Sequence, residues 1–180
     1  MEKARDLDPI SLPIHTDLGL TYYFARDYDR AIEQYQKALE LDPNFIRAYI
    51  TLSSALAQKG RLDEALAAVE KAIAKTGDRA KVAYLGRIHA LAGERQKALD
   101  AVEELKELSK NRPVSPHSIA LIYASLGEKG LAFEWLEKAW EEGFVEPYSL
   151  KVDPWLDSLR DDPRFQKLLE KVRLKARPEK

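Results

Sequence analysis

The sequence predicts an all-α protein built as a solenoid of helical hairpins, and three observations carry this prediction. An alanine recurs every 33 or 34 residues, followed four positions later by a bulky residue. The apolar positions lie three, four and seven residues apart, which places them on one face of a helix. A glycine precedes three of the alanines by five positions, where one helix ends and a left-handed C-cap favours glycine.

Equivalent positions of the repeat, called columns below, keep their spacing over four copies. The alanines are Ala31, Ala65, Ala98 and Ala132. The bulky residues that follow them are Tyr35, Val69, Val102 and Leu136. The small residues that lie twelve positions before them are Gly19, Ser53, Gly86 and Ala120. The glycines are Gly60, Gly93 and Gly127, with Arg26 at this position in the first copy. Each copy therefore reads as helix, tight turn, helix. One hairpin cannot bury its apolar face alone, so neighbouring hairpins must stack.

The first copy resembles the tetratricopeptide repeat (TPR) family. The family's spacing is kept by Leu18-Gly19, Tyr22, Ala31, Tyr35, Ala38 and Leu41-Asp42-Pro43. The second and third copies keep the small and bulky columns, with Gly77 and Lys110 in place of the closing proline and His89 in place of the tyrosine of the third copy. The resemblance covers residues 12–146 and implies a right-handed superhelical α-solenoid of TPR hairpins with C-terminal capping helices.

The same resemblance divides the chain into four hairpins and two ends. The hairpins are expected at residues 12–45, 46–78, 79–112 and, in the most divergent copy, 113–146. Residues 1–11 are expected to be the remnant of an upstream repeat or an N-terminal cap, because Ala4 stands five positions before Pro9 as Ala38 does before Pro43. Residues 147–180 are expected to form capping helices and a basic tail.

Two Asp-Pro pairs, Asp153-Pro154 and Asp162-Pro163, predict short helices near 154–160 and 163–174, since Asp caps a helix and Pro suits its first turn. Six apolar residues are expected to cover the last hairpin: Trp155, Leu159, Phe165, Leu168, Leu169 and Val172. This ending resembles TPR regions of large bacterial signalling proteins, where such arrays follow kinase, cyclase or winged-helix domains. The resemblance implies a sensor or docking segment of a longer protein.

Composition argues against several function classes. A formal net charge of −1 lacks the basic excess that nucleic acid or an anionic membrane requires. No apolar run approaches the roughly 20 residues that span a bilayer, and the absence of cysteine excludes disulfides and thiolate metal sites. We therefore expect no nucleic-acid partner, no membrane insertion and a cytoplasmic location, unless a membrane helix precedes the array in a parent chain. The basic run from Lys171 to Lys180 is interpreted as a solvated terminus.

No catalytic residue, cofactor site or metal site is predicted. The three histidines, His15, His89 and His117, lie in different repeats and start no His-x-x-x-His or Glu-x-x-His pair, whereas metal ligands must converge on one ion at about 2 Å. We expect His89 to be packed in an aromatic column and the other two to be exposed or near the groove. The glycines form no phosphate-binding G-x-G motif, so an enzyme is not expected.

In TPR proteins a ligand usually lies in the concave groove lined by the first helix of each hairpin, and the resemblance implies that surface here. The candidate partner-binding residues are Thr16, Leu20, Tyr23, Phe24, Arg47, Ile50, Ser54, Gln58, Tyr84, Arg87, His117 and Leu121. Aromatic residues with a few arginines are typical of interface hot spots and favour an amphipathic helix or an extended apolar peptide. The alternative for Tyr23 and Phe24 is packing against the second helix or a neighbour.

Some TPR proteins hold the C-terminal carboxylate of chaperones with Lys, Asn and Arg from successive first helices. Here the matching positions carry Thr16, Leu20 and Ser54, and only Arg87 is basic, so chaperone-tail binding is not expected. The leading hypothesis is a protein–protein interaction module, a scaffold or docking segment of a larger bacterial protein. The second hypothesis is a self-assembly module that forms homo-oligomers.

Overall fold

The computed structural model describes Lys3, residues 8–145 and residues 147–175, with the backbone alone at Pro147 and residues 173–175. No strand occurs in these residues, which confirms the all-α prediction. The chain divides into two compact units, Met1–Ile88 and His89–Lys180. The proposed N-terminal remnant falls largely outside the described residues, as does the end of the basic tail from residue 176 onward.

The helices follow the predicted alternation of first and second helices. The first unit contains α1 (Leu12–Phe24), α2 (Tyr28–Leu41), α3 (Ile46–Gln58), α4 (Leu62–Thr76), a 3-10 turn (Arg79–Lys81) and most of α5 (Val82–Leu91). The second unit contains the end of α5, then α6 (Arg95–Ser109), α7 (Pro116–Ser125), α8 (Lys129–Glu141), α9 (Pro147–Val152), a 3-10 helix (Pro154–Leu159) and α10 (Pro163–Lys175).

In the first unit the hairpins stack through the predicted columns. Helix α1 packs on α2, α3 packs on α4, and α2 also contacts α3. The alanine and bulky columns form the core, since Ala31, Tyr35, Ala65 and Val69 are all 0% exposed. A Cβ atom on Gly19 would overlap the Tyr35 ring, so glycine allows α1 to approach α2 this closely. Burial raises the pKa of the Tyr35 hydroxyl.

The turns within the hairpins have the left-handed backbone that the glycine column predicts. Gly60, Gly93 and Gly127 have φ angles of 74°, 75° and 76°. Arg26 occupies the same position in the first hairpin with φ 63°, the one positive value for a non-glycine residue in the described chain. Its guanidinium donates a hydrogen bond to the Phe24 carbonyl at 2.7 Å. The left-handed turn is thus kept even where its favoured residue is missing.

In the second unit the C-terminal elements cover the last hairpin. Helix α7 packs on α8, the 3-10 helix contacts α7, and α10 contacts both α8 and α9. The apolar residues expected here are buried, except that Leu169 is half-buried. The Asp153 carboxylate accepts a hydrogen bond from the Trp155 backbone N–H at 3.0 Å. The helix expected near 154–160 is thus capped as predicted but is a 3-10 helix, and α9 was not predicted.

The cap of α10 is held by a three-point contact. Asp162 accepts hydrogen bonds from the backbone N–H of Arg164 at 3.0 Å and from its guanidinium at 3.0 and 2.8 Å. These bonds lower the pKa of the Asp162 carboxyl from its ordinary 3.8 to about 2. The Arg164 guanidinium also lies 4.4 Å from the centre of the Phe133 ring. The cap therefore joins α10 to α8.

Within the described part of the chain, every helix is too short or too polar to cross a bilayer. The compartment in which the protein resides stays a prediction.

The contact between Gly19 and Tyr35 can be tested with a double-mutant cycle. Gly19→Ala should lower the free energy of unfolding by about 1–3 kcal/mol, because Tyr35 must move within a packed core. Adding Tyr35→Val, the residue type found at Val69 and Val102, makes room for the new methyl group. The double variant should therefore lose less stability than the two single variants together. Urea unfolding followed by circular dichroism measures all four proteins.

The control for this cycle is Gly130→Ala, at a helical position where a Cβ atom would meet nothing within 4 Å. That change should leave stability equal or raise it by about 0.5–1 kcal/mol, since Ala is the better helix former. A Gly19→Ala protein as stable as the starting protein would contradict the proposed contact.

The left-handed turns give a second stability prediction. Arg26→Gly should raise the free energy of unfolding by about 1 kcal/mol, and Gly60→Ala should lower it by about 1–2 kcal/mol, because only glycine adopts this backbone without strain. Space is not a factor at Gly60, where a Cβ atom would meet nothing within 4 Å. Thermal unfolding of both variants checks the pair. A loss of stability in Arg26→Gly would mean that the bond to Phe24 outweighs the backbone strain.

The cap of α10 predicts an acid-dependent loss of stability. The folded-state pKa of Asp162 is depressed, so its contribution is present above the ordinary value of 3.8 and is lost as the pH falls toward about 2. Asp162→Asn removes this contribution. The stability of that variant should therefore change less with pH in this window than that of the starting protein. Urea midpoints measured from neutral pH to pH 2 provide the test, and parallel curves for the two proteins would refute it.

Candidate functional site

The first helices of the first unit present one mixed surface. Asp17 on α1 and Arg47 on α3 form an ion pair of 2.5 Å with both side chains nearly half exposed, and α1 contacts α3 directly. Arg47 is exposed, and the other accessible candidates on α1 and α3 are half-buried: Leu20, Phe24, Ile50, Ser54 and Gln58. These side chains combine apolar area with hydrogen-bonding groups, which a partner segment could cover.

Two candidates of α1 do not belong to this surface. Thr16 is 0% exposed and its hydroxyl donates to the Leu12 and Pro13 carbonyls at 3.1 and 3.0 Å. Tyr23 is 5% exposed, with ring centres 5.5 Å from Phe24 and 5.8 Å from Tyr28. The expectation that both side chains face a partner is corrected, because the structure packs them inside the first hairpin. For Tyr23 this is the alternative that the sequence had left open.

The remaining candidates lie on α5 and α7. On α5, Tyr84 is half-buried, and the Arg87 guanidinium lies 4.3 Å from the centre of its ring. Arg87 is only 6% exposed, and Leu121 on α7 only 4%. These two side chains are buried within the chain, which again corrects the expected surface. His117 on α7 is half-buried, in the second unit.

The histidines take part in local structural contacts. His15 is 4% exposed, which corrects the expectation that it is exposed or near the groove. Its Nε2 atom donates to the Pro9 carbonyl at 2.8 Å, and its Nδ1 atom lies 2.9 Å from Oε1 of Gln34. Nδ1 of His89 lies 2.5 Å from a carboxylate oxygen of Glu94. Among the described residues, no three His, Asp or Glu side chains come close enough to share a metal ion.

Glu94 joins His89 to the start of α6. Hydrogen bonds from Lys97 and then His89 lower the pKa of the Glu94 carboxyl, and the Lys97 ammonium lies 2.8 Å from it. The carboxylate is 38% exposed, so solvent screens the pair. His89, at the position of the family's tyrosine, therefore has a carboxylate partner at the start of α6.

Two clefts that the sequence had not indicated lie between second helices. In the first unit a cleft of about 300 Å³ opens between α2, α3 and α4, lined by Leu39, Leu52, Glu64, Ala68 and Lys71 among others. In the second unit a cleft of about 290 Å³ opens between α6, α7 and α8, lined by Pro113, Pro116, Ile119, Trp135, Lys138 and Phe144 among others. Sequence reasoning had considered only the first helices. The available signal in the sequence was Trp135, an aromatic residue at the repeat position that Ala68 holds in the second copy.

Stacked helical hairpins place the chain in the class of helical-repeat proteins. Here the first helices carry a surface of mixed polarity. The family model of the tetratricopeptide repeat matches residues 24–88, which span α2 to α4 and most of α5. The fold is accordingly the all-α fold of TPR solenoids. This fold is generally a non-catalytic scaffold, and TPR proteins mediate protein–protein interactions.

Three curated proteins share segments with this chain. Hsp70-Hsp90 organizing protein 2 of Arabidopsis thaliana is 46% identical over 43 residues, which is 24% of this chain. The peroxisomal targeting signal receptor of Saccharomyces cerevisiae is 32% identical over 73 residues, or 41% of this chain. Protein O-mannosyl-transferase TMTC1 of Homo sapiens is 28% identical over 129 residues, or 71% of this chain. The matches cover only 8%, 12% and 14% of those proteins.

Solved structures share the fold. The crystal structure of MamA aligns with a TM-score of 0.54 at 28% identity, covering 79% of this chain and 84% of that one. The structure of YrrB, described as a TPR protein with an unusual peptide-binding site, aligns with a TM-score of 0.53 at 18% identity. That alignment covers 95% of this chain and 89% of that one.

Proposed function

We propose that this chain is a docking module that binds a peptide or a partner helix on the surface of α1 and α3. The observation that carries the proposal is the half-buried apolar set of Leu20, Phe24 and Ile50 beside the exposed Arg47. Binding hot spots favour apolar and aromatic anchors with Arg, surrounded by groups that a partner can hydrogen-bond. Ser54 and Gln58 supply such groups on α3.

The chemistry of this surface favours an amphipathic helix or an extended apolar peptide. A carboxylate clamp needs several cations aimed at one point, whereas Arg47 already pairs with Asp17 at 2.5 Å and Arg87 is 6% exposed. The match to Hsp70-Hsp90 organizing protein 2 supports protein binding in general. The surface nevertheless lacks the cations that a carboxylate clamp needs, so we propose an apolar rather than a carboxylate-terminated ligand.

We further propose that the module serves as a regulatory segment of a larger bacterial protein. The relatives support a longer parent chain, because the matched segments form at most 14% of them, whereas the bacterial assignment rests on the likeness of the C-terminal elements to TPR regions of bacterial signalling proteins. TPR segments in such proteins act as parts of longer chains. The activity of any such parent protein is outside this proposal.

A second candidate function is self-assembly into homo-oligomers. Ile10, just before α1, is 73% exposed, and Leu41 at the end of α2 is 44% exposed. Exposed apolar side chains at the edge of a repeat favour association with another copy. Light scattering over a wide concentration range separates the two candidates, since a docking module stays monomeric without its ligand.

The docking surface can be tested with peptides selected from a random displayed library on the purified chain. Leu20→Glu combined with Ile50→Glu should weaken the selected peptides at least about tenfold, because it places charges where apolar anchors are buried. Fluorescence anisotropy of the labelled peptides measures the affinity, and circular dichroism verifies that the variant is folded.

The control is Ala74→Glu, which adds one negative charge, half that of the double variant, at an exposed position of α4. It should leave the affinity unchanged. Peptides that bind the double variant as tightly as the starting protein would refute the α1–α3 surface. Concentration-dependent mass together with a library that yields no binder would favour self-assembly instead.

A further inference from the structure

The cleft between α6, α7 and α8 has the form of a binding site for a single large side chain. Its volume of about 290 Å³ is just below the range for small-molecule pockets, which begins at about 300 Å³. Its apolar lining includes Ile119 of α7, Pro113, Pro116, Trp135 and Phe144. Phe144 is 41% exposed and Trp135 is half-buried. An aromatic pair beside a recess is the kind of surface that anchors a partner.

Cationic groups surround the Trp135 ring. The Lys138 ammonium lies 4.7 Å from the centre of this ring and the Lys106 ammonium 5.9 Å from it. A hydrogen bond to Glu103 raises the pKa of Lys106, which keeps that ammonium charged. The Lys138 ammonium lies 3.9 Å from a Glu142 carboxylate oxygen, which is close to the longest distance of an ion pair. A carboxylate from a partner could approach Lys138 more closely than Glu142 does.

The charge at the cleft favours an anionic occupant. Among its described lining residues, Arg112 and Lys138 carry positive charge and Glu142 carries negative charge; Arg112 has a partner of its own, so the charge offered to an occupant is that of Lys138. The outer pair of Lys106 and Glu103 adds no net charge. An apolar recess with the Lys138 ammonium at its lining favours an apolar side chain that is flanked by acids, because complementary charge steers and orients a partner.

The cleft between α2, α3 and α4 can be compared with this site within the same chain. The cleft of the first unit lies 67 residues earlier in register, with Leu52, Ala68 and Lys71 in place of Ile119, Trp135 and Lys138. It keeps the lysine and the apolar lining, but Ala68 stands where the second cleft has Trp135, and its aromatic lining residue is Tyr49. Its acid, Glu64, is bound to Arg61 at 2.7 Å. The tryptophan next to the lysine therefore distinguishes the second cleft from the first.

We propose that the cleft between α6, α7 and α8 docks an acidic segment of a partner protein, which inserts one large apolar side chain against Trp135 and Phe144 and places a carboxylate at Lys138. The site shares no residue with the α1–α3 surface. It stands independently of the function proposed above and adds a second point of attachment.

The test uses synthetic peptides and nitrogen-15 NMR of the whole chain. The probe is a short peptide of Asp and Glu with one central Phe. It is compared with a peptide in which Ala replaces the Phe and with one in which Asn and Gln replace the acids. The acidic Phe peptide should shift the indole N–H signal of Trp135 saturably, while the other two bind at least about tenfold more weakly. The signal is assigned by its loss in Trp135→Phe.

Charge reversal then locates the site. Lys138→Glu should weaken the acidic Phe peptide about tenfold or more, and added salt should weaken it further. Lys71→Glu is the matched control in the first cleft and should leave the affinity within about twofold. Both lysines are exposed, so neither change should disturb folding, and the dispersion of the NMR spectrum checks this.

Three results would overturn the proposal: equal affinity for the Asn and Gln peptide, equal affinity of the Lys138→Glu protein, or shifts confined to residues of α1 and α3. The combined Leu20→Glu and Ile50→Glu variant should bind the acidic Phe peptide unchanged. This keeps the two surfaces distinguishable, since failure at the α1–α3 surface leaves the cleft result intact.

Discussion

The close approach of paired helices is the constraint on which the rest of the structure depends. Gly19 leaves room for the fully buried Tyr35 ring between α1 and α2. Compared with the Gly19 and Tyr35 pair, two other hairpins have a larger residue at the small position and a smaller one at the bulky position. Ser53 is paired with Val69, and Ala120 with Leu136. The third copy, with Gly86 and Val102, departs from this relation, and other side chains must fill its interior because a packed interior tolerates neither voids nor excess volume. The alanine columns on the second helices follow from the same limit.

Sequence periodicity predicted the hairpins well because their determinants are local. The left-handed turns at Gly60 and Gly127 and the caps at Asp153 and Asp162 each depend on residues within one turn of the chain. The short helix α9 was missed, since it starts at Pro147 without the Asp cap that marks its neighbours. The 3-10 form of Pro154–Leu159 was missed because the same Asp-Pro signal opens either helix type.

The candidate surface was harder to predict than the fold. A helical period identifies which residues share a face, but Thr16 and Tyr23 lie on the boundary between the packed and open faces of α1. Only the neighbouring helices decide such positions, and they bury both side chains. The cleft with Trp135 was beyond the same reasoning for another reason. It is formed by three helices, and the one available signal, Trp135 at the position that Ala68 holds in the second copy, marks only one of them.

The equivalence of the two clefts has a consequence for how such a protein can diversify. The junction of α2 to α4 and that of α6 to α8 both offer such a recess, with Leu52 or Ile119 and Lys71 or Lys138 in its lining. The position occupied by Ala68 in one and Trp135 in the other faces this recess, not the alanine columns that hold the hairpins together. Recognition can therefore be changed one junction at a time while the scaffold stays the same.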